Sequence, residues 1–105
     1  MHDFTADYDF IDEELLQEMR SLFANSNQST IENINQAINL GQMAEAHRLA
    51  HTLKSSASLI GKIRLSNIAH EVEGILKTNT KPPHVLLDEL QTELYRVLDE
   101  LRIEP

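Results

Sequence analysis

The 105-residue chain has no cysteine, only three glycines and three prolines, and an aromatic content of just 5%. Without cysteine there is no disulfide framework, no thiolate zinc or iron–sulfur site and no cysteine nucleophile. Three glycines are too few for a turn-rich β protein, and strand signals are absent. No apolar run approaches the roughly 18 residues that suggest a membrane span. The start of the chain, Met1-His2-Asp3-Phe4, lacks the basic-then-apolar order of a secretory signal. The expected compartment is therefore the cytoplasm, with no membrane contact. Basic residues are also scarce: 9 Lys+Arg face 17 Asp+Glu, for a net charge of -8. That balance speaks against nucleic acid as a partner, because phosphate contacts need a basic face. The length allows one domain, residues 1–105, built around one core.

What the chain does have is helical periodicity. Ile11, Leu15, Met19, Leu22 and Phe23 recur at spacings of three and four behind acidic residues suited to a helix start. Ser29 or Thr30 could cap a second helix carrying Ile31, Ile34 and Ile38, with Gly41 ending it. A third runs from about Met43 to about Ile60 and stops near Gly61; a fourth, from about Lys62 to Thr78, places Leu65, Ile68, Ala69, Val72, Ile75 and Leu76 on one face. Lys81-Pro82-Pro83 breaks that helix, and a fifth carries Leu87, Leu90, Leu94, Val97, Leu98 and Leu101. This pattern predicts an all-α fold, an antiparallel up-down four-helix bundle with an additional N-terminal helix packed across it or extending one member.

The third helix departs from the core-and-charge pattern of the others. On a wheel of about 100° per residue, Ala46, Leu49, Leu53, Ala57 and Ile60 gather opposite His51. His47, Arg48, Lys54, Ser55 and Ser58 gather around it, and Ala44, Ser55 and Ser58 leave its ring open to a large partner. Charge is also unevenly spread. Residues 1–20 hold seven acidic side chains and one basic one, whereas residues 48–81 hold six basic and two acidic ones. An exposed imidazole in a net-basic stretch suits an anion on, or arriving at, that ring.

The stretch His51-Thr52-Leu53-Lys54-Ser55-Ser56-Ala57-Ser58-Leu59-Ile60-Gly61 resembles the signature of histidine-containing phosphotransfer (HPt) domains of bacterial multistep His-Asp phosphorelays. The match consists of a His, an aliphatic residue two later, a Lys three later, a small residue four later and a Gly ten later. It extends upstream through Ala46-His47-Arg48-Leu49-Ala50 and downstream through Leu65 to Val72-Glu73. One position departs from the family, which usually has Gly where this chain has Ser55. Serine is small and can donate a hydrogen bond to a phosphoryl oxygen.

The resemblance implies a phosphorelay intermediate. His51 would accept a phosphoryl group from an aspartyl phosphate on a receiver domain and pass it to an Asp on another. Imidazole suits this because its neutral form offers a nitrogen lone pair near neutral pH. Lys54 would neutralise phosphoryl charge, with Arg48 and His47 adding to the same field. Ser55 and Ser58 could bond the phosphate or the other ring nitrogen, and Gly61 would end the helix. There is no Gly-rich nucleotide loop and no carboxylate cluster for Mg²⁺ near the motif. The resemblance thus implies a covalent carrier rather than an enzyme, with no cofactor of its own and Mg²⁺ on the partner receiver. Its partners would be receiver domains of response regulators or a hybrid sensor histidine kinase, of which this chain could itself be a domain, and it would be monomeric.

Two other readings stand beside this one. His47 and His51 are a possible two-point metal site, but Glu45 lies roughly 120° from His51 on the wheel and no third ligand is evident, so no metal is expected. An adaptor or dimerisation bundle without phosphotransfer is the alternative function. If His51 is a phosphoacceptor, it should lie mid-helix with its ring largely exposed and an exposed Lys54 on the same side; an imidazole buried in the core and hydrogen-bonded to a carboxylate would rule the mechanism out. His70, beside Glu71, reads as a solvated surface residue.

Overall fold

The computed structural model describes residues 12–103. They form five helices and no strand: α1 (Glu13–Ser26), α2 (Thr30–Asn39), α3 (Met43–Leu59), α4 (Ile63–Lys77) and α5 (His84–Ile103). The all-α class and the extra N-terminal helix are as expected; Ile11 and the acidic residues before it lie outside the described residues.

Each boundary has a local cause. Asp12 caps α1, its carboxylate accepting from Leu15 N–H at 2.8 Å, with Glu13 and Glu14 in the first turn against the helix dipole. Neither Ser29 nor Thr30 caps α2 with its side chain. The Thr30 hydroxyl instead donates to Asn27 Oδ1 (2.7 Å) while Asn27 Nδ2 donates to Phe23 C=O (2.9 Å), which satisfies a buried polar joint between α1 and α2. Gly41 and Gly61 end α2 and α3 at φ +73 and +78. In both, the following N–H reaches back to a carbonyl five residues earlier: Gln42 to Ala37 at 2.8 Å, Lys62 to Ala57 at 2.9 Å. This left-handed closure turns the chain sharply enough to set consecutive helices antiparallel.

The core is aliphatic. Ile34, Leu53, Leu65, Val72, Leu90, Leu94 and Val97 are its largest fully buried side chains, each worth about 1.5–3 kcal/mol of burial. The most extensive helix pairing is α3 on α4. The buried residues of α3 are mostly alanine: Ala46, Ala50 and Ala57 are fully buried, beside Leu53. Small residues along that seam let the two axes approach closely, so a side chain on α4 can reach the outer face of α3. Ser66 Oγ, donating to Lys54 C=O at 2.9 Å, adds a polar tie across it.

Helix α1 differs from its sequence reading. Phe23 is buried and Met19 packs against the core, but Leu15 and Leu22 are 43% and 67% exposed. The helix packs mainly on α5, so only a narrow stripe of it is covered. Leu22 instead lines an open apolar groove of about 330 Å³ between α1 and α3, with Leu49, Thr52 and the exposed Leu59. Ile75 is half-buried on the edge of the α4 core face.

Candidate functional site

Helix α3 places His47, His51 and Lys54 at i, i+4 and i+7, one above another on a single face. The neighbouring α4 sends one carboxylate up between them. Glu73 Oε1 lies 2.7 Å from His51 Nδ1 and 3.5 Å from His47 Nε2; Glu73 Oε2 lies 2.9 Å from Lys54 Nζ and 3.9 Å from His70 Nδ1. Glu73 is 12% exposed, whereas the His51 side chain is 55% exposed. The imidazole therefore stands at the surface on a nearly buried carboxylate. Burial alone would push the Glu73 carboxyl up, but the Lys54 ammonium paired with it at 2.9 Å, and then the hydrogen bond from His51, hold it down at about 2.

That ionised carboxylate can only accept hydrogen bonds, so His51 Nδ1 is the donor at 2.7 Å. In a neutral ring the proton then sits on Nδ1, and Nε2 carries the lone pair. Among the described residues, none hydrogen-bonds Nε2. The arrangement is a fixed tautomer on a half-exposed ring, with the lone pair left on Nε2.

A family model for the Hpt domain matches residues 18–100. The chain belongs to the Hpt-domain family. Neither the curated proteins nor the solved structures returned a match. Hpt domains carry a phosphoryl group on histidine in phosphorelays and interact with receiver domains; they are phosphocarriers rather than classical enzymes.

Within this Hpt domain the candidate residues divide. His51 is mid-helix and exposed. Lys54 shares its face but is only 25% exposed and bound to Glu73, which corrects the expectation of a freely solvated lysine. Arg48 does not join the site: its guanidinium is forked onto Glu45 through Nε (3.1–3.2 Å) and Nη2 and turned toward the other flank of α3. Ser55 and Ser58 are exposed beside His51, but the other ring nitrogen bonds Glu73 rather than either serine. His47 is drawn in, its ring stacked on that of His51 at 6.3 Å. Gly61 ends the helix away from the ring. His70 is 70% exposed, as a surface residue should be, yet its Nδ1 faces Glu73.

Glu73 is the site residue that sequence reasoning missed. It appeared only as half of the Val72-Glu73 pair, although it lies within about 60° of both Ala69 and Leu76 on the α4 wheel. A carboxylate on the edge of a core face, on the helix after the His51 helix, was the available signal. The net-basic stretch is also less free than its count. Arg48 pairs with Glu45, Lys54 with Glu73, Lys62 with Glu100 and Arg64 with Glu93. Among the described residues, no group of three or more His, Asp or Glu is arranged to hold a metal ion, and no helix is long and apolar enough to cross a membrane.

Proposed function

We propose that this Hpt domain accepts a phosphoryl group on His51 Nε2 from an aspartyl phosphate of a receiver domain and passes it to the Asp of another. The observation that carries this reading is the bond from His51 Nδ1 to ionised Glu73, which leaves Nε2 as the exposed nucleophile. In the forward step the Nε2 lone pair attacks phosphorus, the N–P bond forms, and the P–O bond breaks with its electrons leaving on the receiver carboxylate. The proton stays on Nδ1, held by Glu73, so the ring positive charge that develops has a counter-ion. In the return step that retained proton makes the departing imidazole neutral, a better leaving group than an anion.

Lys54 acts on both sides of this step: it fixes Glu73 and, through its exposed quarter, contributes charge toward the phosphoryl oxygens. Ser55 and Ser58, exposed on the same helix face, would donate to those oxygens. Arg48, committed to Glu45, shapes the flank met by the partner. Mg²⁺ and the acceptor Asp belong to the receiver, and most of the catalysis is alignment of the two groups. The carrier is read as a single cytoplasmic domain acting as a monomer. Incubation with a receiver domain phosphorylated on its Asp, followed by mapping of the acid-labile label, tests the reading. Label should move to the wild-type chain and not to His51→Gln. Equal labelling of the two proteins would leave the adaptor reading in its place.

A further inference from the structure

His47 is not idle beside this site. Its Nε2 is buried, has no hydrogen-bond partner, and faces at 3.5 Å the same Glu73 oxygen that holds His51 Nδ1 at 2.7 Å. The two rings are nearly parallel, 16° apart in plane, with centroids 6.3 Å apart. About a third of the His47 side chain reaches solvent, and it borders a shallow depression of about 300 Å³ with Met43, Ala44, Leu76, Lys77 and Asn79. Protons from bulk water therefore reach it independently of His51. The charged and titratable groups around it are Glu73, Lys77 and, at the rim, His70 from α4, and His51 and Lys54 from its own helix.

We propose that His47 is a positioning residue that competes with His51 for Glu73 Oε1, so that a proton taken up by His47 slows phosphoryl transfer to His51. The proposal rests on the reading of His51 as phosphoacceptor. Protonated from solvent, His47 turns Nε2–H into a charged donor aimed at Oε1. The carboxylate then divides its charge between two rings, and the Nδ1–H bond that orients His51 weakens. The new cation also opposes the positive charge that appears on the His51 ring as the N–P bond forms; it lies on the Glu73 side of that ring, away from the open Nε2, so the ring feels it more than the phosphoryl oxygens do. A unit charge at 6.3 Å alters a rate by roughly threefold in a water-like dielectric, and by more where the groups are partly buried. The carrier is thereby damped by acid beyond what protonation of its own nucleophile would cause.

The test uses the full chain and potassium phosphoramidate, a small-molecule donor that phosphorylates imidazoles without a partner protein. The rate of His51 labelling is measured from about pH 5.5 to 8.5 for wild type and His47→Gln. The pH dependence of the donor cancels in the ratio of the two. The expected ratio of variant to wild type is near one at pH 8.5 and rises to at least about threefold at pH 5.5. In a Glu73→Gln background the His47→Gln substitution should leave only the direct charge–charge part of the effect, so the ratio should rise less in acid than it does with Glu73 present, because the carboxylate for which the two rings compete is gone. A ratio that stays constant with pH, or falls below one in acid, overturns the role of His47 while leaving the phosphoacceptor intact. Absence of label from His51 in wild type and variant alike overturns the phosphoacceptor reading itself and this proposal with it.

Discussion

Replacing Glu73 by Gln keeps the shape of the side chain and removes its charge, which isolates the contribution of the carboxylate. Its pKa is drawn from 4.5 to about 2 by Lys54 and His51 against the cost of burial. At about 1.4 kcal/mol per pKa unit, the folded state gains up to about 3 kcal/mol from ionising this group. Because Lys54 and His51 both reach water, the gain measured in solution should be about 1–3 kcal/mol. The sign follows from the direction of the shift. A depressed carboxylate pKa stabilises the fold fully above its unfolded value, near pH 4.5, and the gain is lost as pH falls toward 2. Urea unfolding followed by helical circular dichroism should therefore show Glu73→Gln less stable than wild type by about 1–3 kcal/mol at pH 6. The melting point should fall by roughly 5–15 °C. At pH 2.5 most of that difference should be gone. A gap under about half a kcal/mol at pH 6, or one that persists unchanged at pH 2.5, would refute the claim that the carboxylate is ionised and held by Lys54 and His51.

Other substitutions probe the scaffold and the face around His51. Lys54→Ala should slow transfer from a phosphorylated receiver and cost about 1 kcal/mol in urea unfolding, since it strips a mostly buried carboxylate of its 2.9 Å partner; an unchanged transfer rate would count against its charge acting on the phosphoryl group. Ala50→Leu, on the fully buried α3–α4 seam, should cost about 1–3 kcal/mol by overpacking. It should also push Glu73 out of reach of His51, visible as loss of the single Nδ1–H tautomer in nitrogen NMR. Gly61→Ala meets no steric neighbour but must adopt φ +78, so a loss of about 1 kcal/mol with transfer retained is expected; a neutral result would mean that the turn relaxes.

The fold was legible because its signals are local and redundant. Gly41, Gly61 and the Pro82-Pro83 pair mark helix ends by backbone conformation alone, and the aliphatic stripes of α4 and α5 show which faces meet. Helix α1 was less so: its stripe reads as amphipathic, but how much of it is covered depends on a neighbour that periodicity does not reveal, and Leu22 ends on a groove. The same division holds in the site. His51 and Lys54 belong to one helix and share a face by arithmetic. Glu73 comes from the next helix, and its position under His51 depends on how closely Ala46, Ala50 and Ala57 let α4 approach. Arg48 turns away from His51 for a related reason. A wheel fixes where Cβ points, whereas a long side chain goes to its best partner, here Glu45 three residues back.

Those pairings change what the local charge can do. Counted along the sequence, residues 48–81 have six basic side chains against two acidic ones, which suggests a cationic patch awaiting an anion. In the fold, four of the six face carboxylates, two of which, Glu73 and Glu93, are nearly buried. A long-range attraction for a phosphorylated partner is correspondingly small: three of the four pairs tie neighbouring helices together, and the fourth, Arg48–Glu45, lies within α3. Transfer should then depend only weakly on ionic strength, because screening acts on exposed, separated charges far more than on close, partly buried pairs. On the proposed reading the contribution of this chain to the reaction is chiefly geometric, beside the local charge of Lys54: an alanine-rich buried face, a carboxylate that fixes one imidazole proton, and an open nitrogen. Measured at 50 mM and 500 mM salt with one phosphorylated receiver, the transfer rate should change by less than about tenfold. A steeper fall would mean that Lys54 and Arg48 leave their carboxylates when the partner docks, and that the cationic face exists only in the complex.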